Sequence, residues 1–266
     1  MQKQRELNQS QLDLLHTLYR FRFATRSLLA EYLNKPNNTS LYSKLSILEK
    51  RGLVGSLYEK SYKLAGREAE YYVTPKGVRT LRDSSTMELS DTDIQASYKD
   101  KRMSDWFVQQ VVLLFAFRNM LIKAYPTLQY FTSRDIQKLD YFPSRKPTAF
   151  LSLKTDDKVR RFFLEYIPMQ TSTTIIKAKL RRYSHYFDED AWGVTNTDFP
   201  FILFVCDDGM TEQGVRWHIK RELFKSDTDI QYYTTTRKAL LTSLPGNPAI
   251  WSSIEDDDAL YSLAEL

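Results

Sequence analysis

Five polar side chains crowd the start of one short stretch, NNTSLYSKLSILEKRGLV at residues 37–54: Thr39, Ser40, Tyr42, Ser43 and Lys44. Hydroxyl and ammonium groups of this kind hydrogen-bond to phosphate oxygens and to base edges, which is the chemistry of recognition rather than of bond breaking. The spacing around them is helical. Leu41, Leu45 and Leu48 fall at i, i+4 and i+7 and form a single apolar stripe, so the five polar groups lie on the open side. Asn38, Thr39 or Ser40 can cap the start of this helix through a side-chain oxygen, and Gly52 suits the left-handed residue that ends it.

Other chemistries find little support in the residue types. His16, His185 and His218 are far apart, and with Cys206 as the one cysteine there is no zinc-ligand spacing and no internal disulfide. The 8 glycines form no phosphate-cradling loop. Tyrosine- and phenylalanine-rich runs such as YYVT and HYF fall at strand or helix spacing, which favours a core role over base stacking. A tyrosine nucleophile would want a metal-holding histidine cluster beside it, and none is visible. No cofactor and no metal are expected.

Composition places the chain among ordinary soluble proteins, with 42% hydrophobic and 27% charged residues. The first residues, MQKQRELNQSQLDLL, lack the apolar core of a signal peptide. The apolar runs VVLLFAF and FPFILFVC are read as too short to span a bilayer, so a cytoplasmic protein without membrane partners is expected. Charge is uneven. Residues 1–83 carry 15 Lys and Arg against 8 Asp and Glu, a balance of +7, whereas the remainder is slightly acidic. Such a basic segment attracts a polyanion.

The elements that must position the polar stretch can be read in order. SQLDLLHTLYRFR predicts a helix capped by Ser10, with Leu12, Leu15 and Tyr19 on one face. ATRSLLAEYLN predicts a second helix opened by Thr25 or Arg26, KPNN breaks it, and the polar helix is third. LVGSLYE and AEYYVT read as a hairpin joined by the polar KSYKLAGRE, followed by a short helix with Pro75 in its first turn. Three helices and a hairpin in this order, with LxxLEKRGLV and YYVTPKG, resemble the bacterial winged helix-turn-helix regulators.

That resemblance implies a DNA-binding domain over residues 1–83, followed by a linker at 84–102 with little apolar content. Asn38, Thr39, Ser40, Ser43 and Lys44 are then expected near base edges or phosphates in the major groove, with Tyr42 against the sugar-phosphate backbone. Lys60, Lys63 and Arg67 on the wing would reach the adjacent backbone or minor groove. Arg22 and Arg26 would contact phosphates and position the domain without specifying sequence.

The second part, residues 103–250, begins with the apolar helix SDWFVQQVVLLFAFRNMLIKAYP, capped by Ser104. Strand-like LQYFTS, TAFLSLK and VRRFFLEYIPM follow, then helix TTIIKAKLRRYSHYF, strand PFILFVC, helix TEQGVRWHIKREL and strand IQYYTT. This α-β-β-β-α-β-α-β order predicts a mixed sheet flanked by helices. Residues 251–266 read as an acidic tail.

The same order, with KPTAF opening one strand and FLEYI ending the next, resembles the restriction-endonuclease-like fold. Its active members carry Pro-Asp and Asp/Glu-x-Lys there, holding Mg²⁺ between carboxylates. Here Pro147 and Glu165 match, but Thr148 and Ile167 stand where the first carboxylate and the lysine belong. In series behind the winged helix, PTAF, FFLEYIPMQTST, KAKLRRYSHYF and FPFILFV resemble the plasmid replication-relaxation family. That family's pattern is kept at Pro147, Ala149, Leu164, Glu165, Lys179, Tyr183 and the threonines 171, 173 and 174, and lost at Thr148 and Ile167.

The overall expectation is an α+β protein, an N-terminal winged helix-turn-helix followed by a degenerate α/β nuclease-like domain. It would bind double-stranded DNA in replication, mobilisation or regulation of a mobile element. The second domain would serve dimerisation, as a homodimer, or docking of a relaxase or replication initiator. The alternative is a metal-dependent nuclease using Glu165 with Asp135, Asp140 and Lys179; Lys177 is a further substitute for the lost lysine. A third reading, a protein-protein module with no DNA role, sits poorly with the basic first third.

Overall fold

Helix α1 (Gln9–Phe21) starts at Asn8 rather than at Ser10. The Asn8 side chain accepts the Gln11 backbone N–H at 3.0 Å, and the Gln11 side chain accepts the Asn8 N–H at 3.1 Å, a reciprocal cap. Ser10 is the second residue of the helix and accepts hydrogen bonds from Lys35 and Lys44 instead. The computed structural model describes residues 6–84, 88–156, 158–225, 228–243, 245–256 and 259–266. The chain divides into two units, Met1–Asn119 and Met120–Leu266.

In the first unit, β1 (Ala24–Thr25) leads into α2 (Arg26–Tyr32), capped by the Thr25 hydroxyl, and α3 (Thr39–Lys50) follows. Strands β2 (Val54–Leu57) and β3 (Glu70–Val73) pair antiparallel, and β1 adds to the other edge of β3. The segment between β2 and β3, expected as the polar connection of a hairpin, contains a short helix, α4 (Lys60–Leu64), whose Tyr62 is buried. Helix α5 (Pro75–Ser84) begins at its proline. Gly77 in its first turn lies so close to the chain that a Cβ there would stand 2.2 Å from the Leu53 carbonyl oxygen.

The expected linker holds a helix. Ser90 caps α6 (Asp91–Ser97) reciprocally with Asp93, and Ile94 and Asp100 are buried. Helix α7 (Asp105–Ala124) also departs from the sequence reading. Its residues up to Asn119 pack on the N-terminal elements: Phe115 stacks on Phe21 at 3.9 Å, and Val108 joins Phe23 and Tyr72 in one cluster. A mostly apolar helix finds its aromatic partners there. With 20 residues and a mean hydropathy of 1.3 over its most apolar window, α7 is long and apolar enough to cross a membrane by length and composition. The shorter run VVLLFAF concealed that property. Phe115 and Phe117 are fully buried in the fold.

The second unit is built on a seven-stranded mixed sheet. Its strands are β4 (Leu128–Thr132), β5 (Ala149–Lys154), β6 (Val159–Ile167), β7 (Phe201–Cys206), β8 (Tyr232–Thr236), β9 (Trp251–Ser253) and β10 (Leu260–Tyr261). They lie in sequence order across the sheet; β6, β7 and β8 are parallel and the other pairings antiparallel. Helices α8 (Thr173–Asp188) and α9 (Gly209–Leu223) make the crossovers, and α10 (Arg237–Thr242) follows β8. Ile176, Leu180, Tyr183, Val215 and Ile219 bury against Phe163, Ile167, Ile202, Phe204 and Cys206. The α+β order expected from residues 105 to 236 is present. The expected acidic tail is instead part of the sheet, because Trp251 and Leu263 are fully buried hydrophobes.

Candidate functional site

Helix α3 owes its exposed polar start to the pattern of three leucines. Leu41, Leu45 and Leu48 are buried, and the Asn38 side chain caps the helix by accepting the N–H groups of Ser40 and Leu41. Asn38, Thr39, Ser40, Tyr42 and Ser43 are all exposed. The other end closes as expected: Gly52 adopts φ +70° while its N–H bonds to Glu49 and that of Leu53 to Leu48. Tyr42 stands beside Arg26, whose guanidinium lies 5.9 Å from the ring centre.

Not every cation expected on this surface is turned outward. Lys44 donates to the Ser10 hydroxyl at 3.0 Å and so ties α3 to α1. Arg22 bonds the buried Asp100 at 2.8 Å and lies 4.6 Å above the Phe107 ring. Arg67 spans Asp105 at 2.6 Å and the buried Glu70 at 3.1 Å. These three hold the unit together: Arg22 and Arg67 are drawn in by the buried carboxylates of Asp100 and Glu70, and Lys44 by the Ser10 hydroxyl. Lys63 is exposed on α4; Lys60 begins that helix, and its side chain lies outside the described residues.

The composition gave no sign of one network here. The Glu68 carboxylate accepts the Ser27 N–H at 3.0 Å and its hydroxyl at 2.6 Å, and Asn37 donates to the same hydroxyl at 2.8 Å. The segment before β3 is thereby tied to the turn that precedes α3. Burial would raise the Glu68 carboxyl, but the Ser27 hydrogen bonds, with Thr25 and the Arg26 charge, hold it below its ordinary value.

In the second unit Glu165 lies near the C-terminal end of β6, opposite Phe204, on the face covered by α8. It has no exposed surface. Lys179, Arg182 and Tyr183 fall at i, i+3 and i+4 on α8 and reach it together. Lys179 donates to one carboxylate oxygen at 2.6 Å and Thr148 to the same oxygen at 3.1 Å. Tyr183 donates to the other oxygen at 2.7 Å, joined there by Arg182. Burial pushes the carboxyl up, but the charges of Lys179 and Arg182 and the hydrogen bonds from Lys179 and Tyr183 outweigh it, so Glu165 is held below its ordinary value. Burial first, then the Glu165 charge, pushes the Tyr183 phenol well up.

This arrangement does not suit a divalent metal. Both carboxylate oxygens already accept from cationic or hydroxyl donors, and Ile167 is fully buried in the apolar core. Asp135 accepts from Thr132 of its own turn, and Asp140 is exposed while Glu165 is fully buried. Among the described residues, no three His, Cys, Asp or Glu side chains gather where they could hold a metal. Lys179 was legible from the sequence; Arg182 was missed, although its place three residues after Lys179 put it on the same helix face.

Comparison with known proteins adds a family. No curated protein matches the chain. A solved structure of the restriction endonuclease FokI bound to DNA is similar at a TM-score of 0.31 and 11% identity, over 87% of this chain and 43% of that one. The chain spans less than half the length of that enzyme, and a score so low establishes neither fold nor function. Residues 15–202 match the replication-relaxation family, a span reaching from α1 into β7 and including both the α3 surface and the Glu165 cluster. With well over half of its 266 residues matched, the chain belongs to the replication-relaxation family.

Proposed function

We propose that this protein binds double-stranded DNA in a sequence-dependent manner, in the replication, relaxation or transfer of a plasmid or other mobile element. The N-terminal unit acts as a winged helix-turn-helix, with α3 as the recognition helix and α4 on the wing. The observation that carries the reading is the exposed first turn of α3, where Thr39, Ser40, Tyr42 and Ser43 stand open above three buried leucines. The net charge of +7 over residues 1–83 supports it. Hydroxyls in this position read base edges, and the exposed Lys63 meets phosphates.

The second unit is, in this reading, a non-catalytic frame that serves dimerisation or the docking of a replication or transfer protein. Its support is the Glu165 cluster, in which Thr148 stands where a nuclease would need a second carboxylate and Lys179 and Arg182 pair with the remaining one. Two measurements on the full chain test the proposal. Binding to duplex DNA should fall at least about a hundredfold between roughly 50 and 200 mM salt, given about 5–8 neutralised phosphates at a slope near −0.9 each. Supercoiled plasmid incubated with Mg²⁺ or Mn²⁺ should stay uncut. Salt-independent binding would sink the first part, and metal-dependent nicking lost in Glu165→Gln would sink the second.

A further inference from the structure

One face of α9 remains after the core, the sheet and the Glu165 cluster are accounted for. Val215 and Ile219 point inward and are fully buried. On the opposite side Met210, Trp217 and Phe224 are 83%, 55% and 94% exposed, with Phe224 continuing the helical geometry as the cap residue. They recur every seven residues, so they line up along one side of the helix at about 10.5 Å intervals. Between them lie exposed Gln213 and Gly214, and a Cβ on Gly214 would meet nothing within 4 Å. The stripe is therefore low and open between Met210 and Trp217.

Its borders are cationic. Lys220, Arg221 and Lys225 are exposed on the same helix end, and the Arg221 guanidinium lies 5.3 Å from the Trp217 ring centre. Helix α8 adds Lys177 and Arg181, against which stands Glu222, 3.9 Å from Arg181. His218 packs its ring 4.7 Å from Trp217. Partial burial first, then the charges of Lys177 and Arg221, push that imidazole below its ordinary value.

We infer that this face docks an acidic amphipathic α-helix of a partner protein, its apolar side chains meeting Met210, Trp217 and Phe224 and its carboxylates meeting Lys220, Arg221 and Lys225. The inference deepens the partner-docking role proposed for this unit and is separate from DNA binding by α3. The stripe suits a helix better than a nucleic acid: intervals of about 10.5 Å match two helical turns, and the aliphatic Met210 offers no ring on which a base could stack. Charge decides against a second copy, which would bring two faces of the same sign together. Tryptophan and arginine are among the residue types most enriched at the hot spots of protein interfaces.

The test uses the full-length protein and a fluorescent 22-residue helical peptide with leucine at heptad a and d positions and glutamate at e and g. A second peptide carries lysine at e and g. The acidic peptide should bind at least tenfold more tightly than the basic one. Trp217→Ala, at a half-exposed position, should weaken it tenfold or more without altering duplex-DNA binding. The double variant Lys220→Glu/Arg221→Glu should reverse the preference between the peptides. Failure of the acidic peptide to bind, equal binding of both peptides, or binding insensitive to Trp217→Ala would overturn the inference. So would Trp217-dependent binding that is tighter to single-stranded DNA or to phosphatidylglycerol vesicles, or Trp217-dependent self-association. Loss of duplex binding in wild type with peptide binding intact would instead overturn only the α3 proposal.

Discussion

Glu165→Gln removes one charge from a side chain with no exposed surface and changes its shape hardly at all. The carboxylate accepts from Lys179 at 2.6 Å, Tyr183 at 2.7 Å, Thr148 at 3.1 Å and Arg182. Glutamine keeps one oxygen for these donors but turns an NH₂ group, itself a donor, toward the rest. The side chains of Lys179 and Arg182 are only 23% and 16% exposed, so water cannot fully replace the lost partner. Changing one member of a buried ion pair costs about 3–5 kcal/mol, a large part of the 5–15 kcal/mol that typically holds a fold together. At roughly 2–4 °C per kcal/mol for a protein of this size, the melting temperature should fall by about 6–20 °C. The pH dependence follows from the depressed carboxyl. Its stabilisation is complete above the unfolded-state value of about 4.3 and is lost as pH falls through the lower folded-state value, so Glu165→Gln should flatten the acid limb of the stability profile. Scanning calorimetry between pH 3 and 7 reads both effects. The triple replacement Glu165→Leu, Lys179→Met and Arg182→Met should recover much of the loss, because no unpaired charge remains. A Glu165→Gln melt within about 2 °C of wild type, with an unchanged acid limb, would show that the buried charge contributes little to stability.

Gly77→Ala should destabilise the first unit by about 1–3 kcal/mol in urea melts, because the new Cβ would meet the Leu53 carbonyl oxygen at 2.2 Å and Val73 at 2.7 Å. Arg22→Ala leaves the Asp100 carboxylate without this partner and should cost about 3 kcal/mol in the same assay, the lower end of the range because Arg22 is one quarter exposed. Ser43→Ala should cost about 1–3 kcal/mol on the preferred duplex and little on others, whereas Lys63→Ala should weaken all duplexes alike, both read by fluorescence anisotropy. Lys44→Ala should lower stability rather than alter sequence preference, since its ammonium is bonded to Ser10.

Long periodic segments were legible in the sequence: the leucine stripe of α3, the apolar β6 and β7, and the amphipathic α8 all lie where their spacing placed them. Short elements were not. Helices α4 and α6 and strands β9 and β10 have too few residues to show a period, and they form because Tyr62, Ile94 and Trp251 find a core to bury in. The assignment of α7 failed for a related reason, since an apolar helix does not disclose which aromatic rings it will meet. At the candidate site the residue types were legible but their partners were not. Lys44, Arg22 and Arg67 read as surface cations because the carboxylates or hydroxyl that bind them lie 3 to 78 residues away in the chain. Glu165 was identified as the lone surviving acid, and Lys179 as its partner; the phenol of Tyr183 and the guanidinium of Arg182 complete the cage that spacing only hinted at.

Sequence reading by α3 is tested by selecting duplexes from a randomised pool with the full-length protein and with its Thr39→Ala and Ser43→Ala variants. Wild type should enrich a defined motif, and each variant should still retain duplex DNA at low salt but lose or change the preference at one or two positions. A wild-type protein that enriches no motif, or variants that enrich the same motif with the same strength, would contradict it.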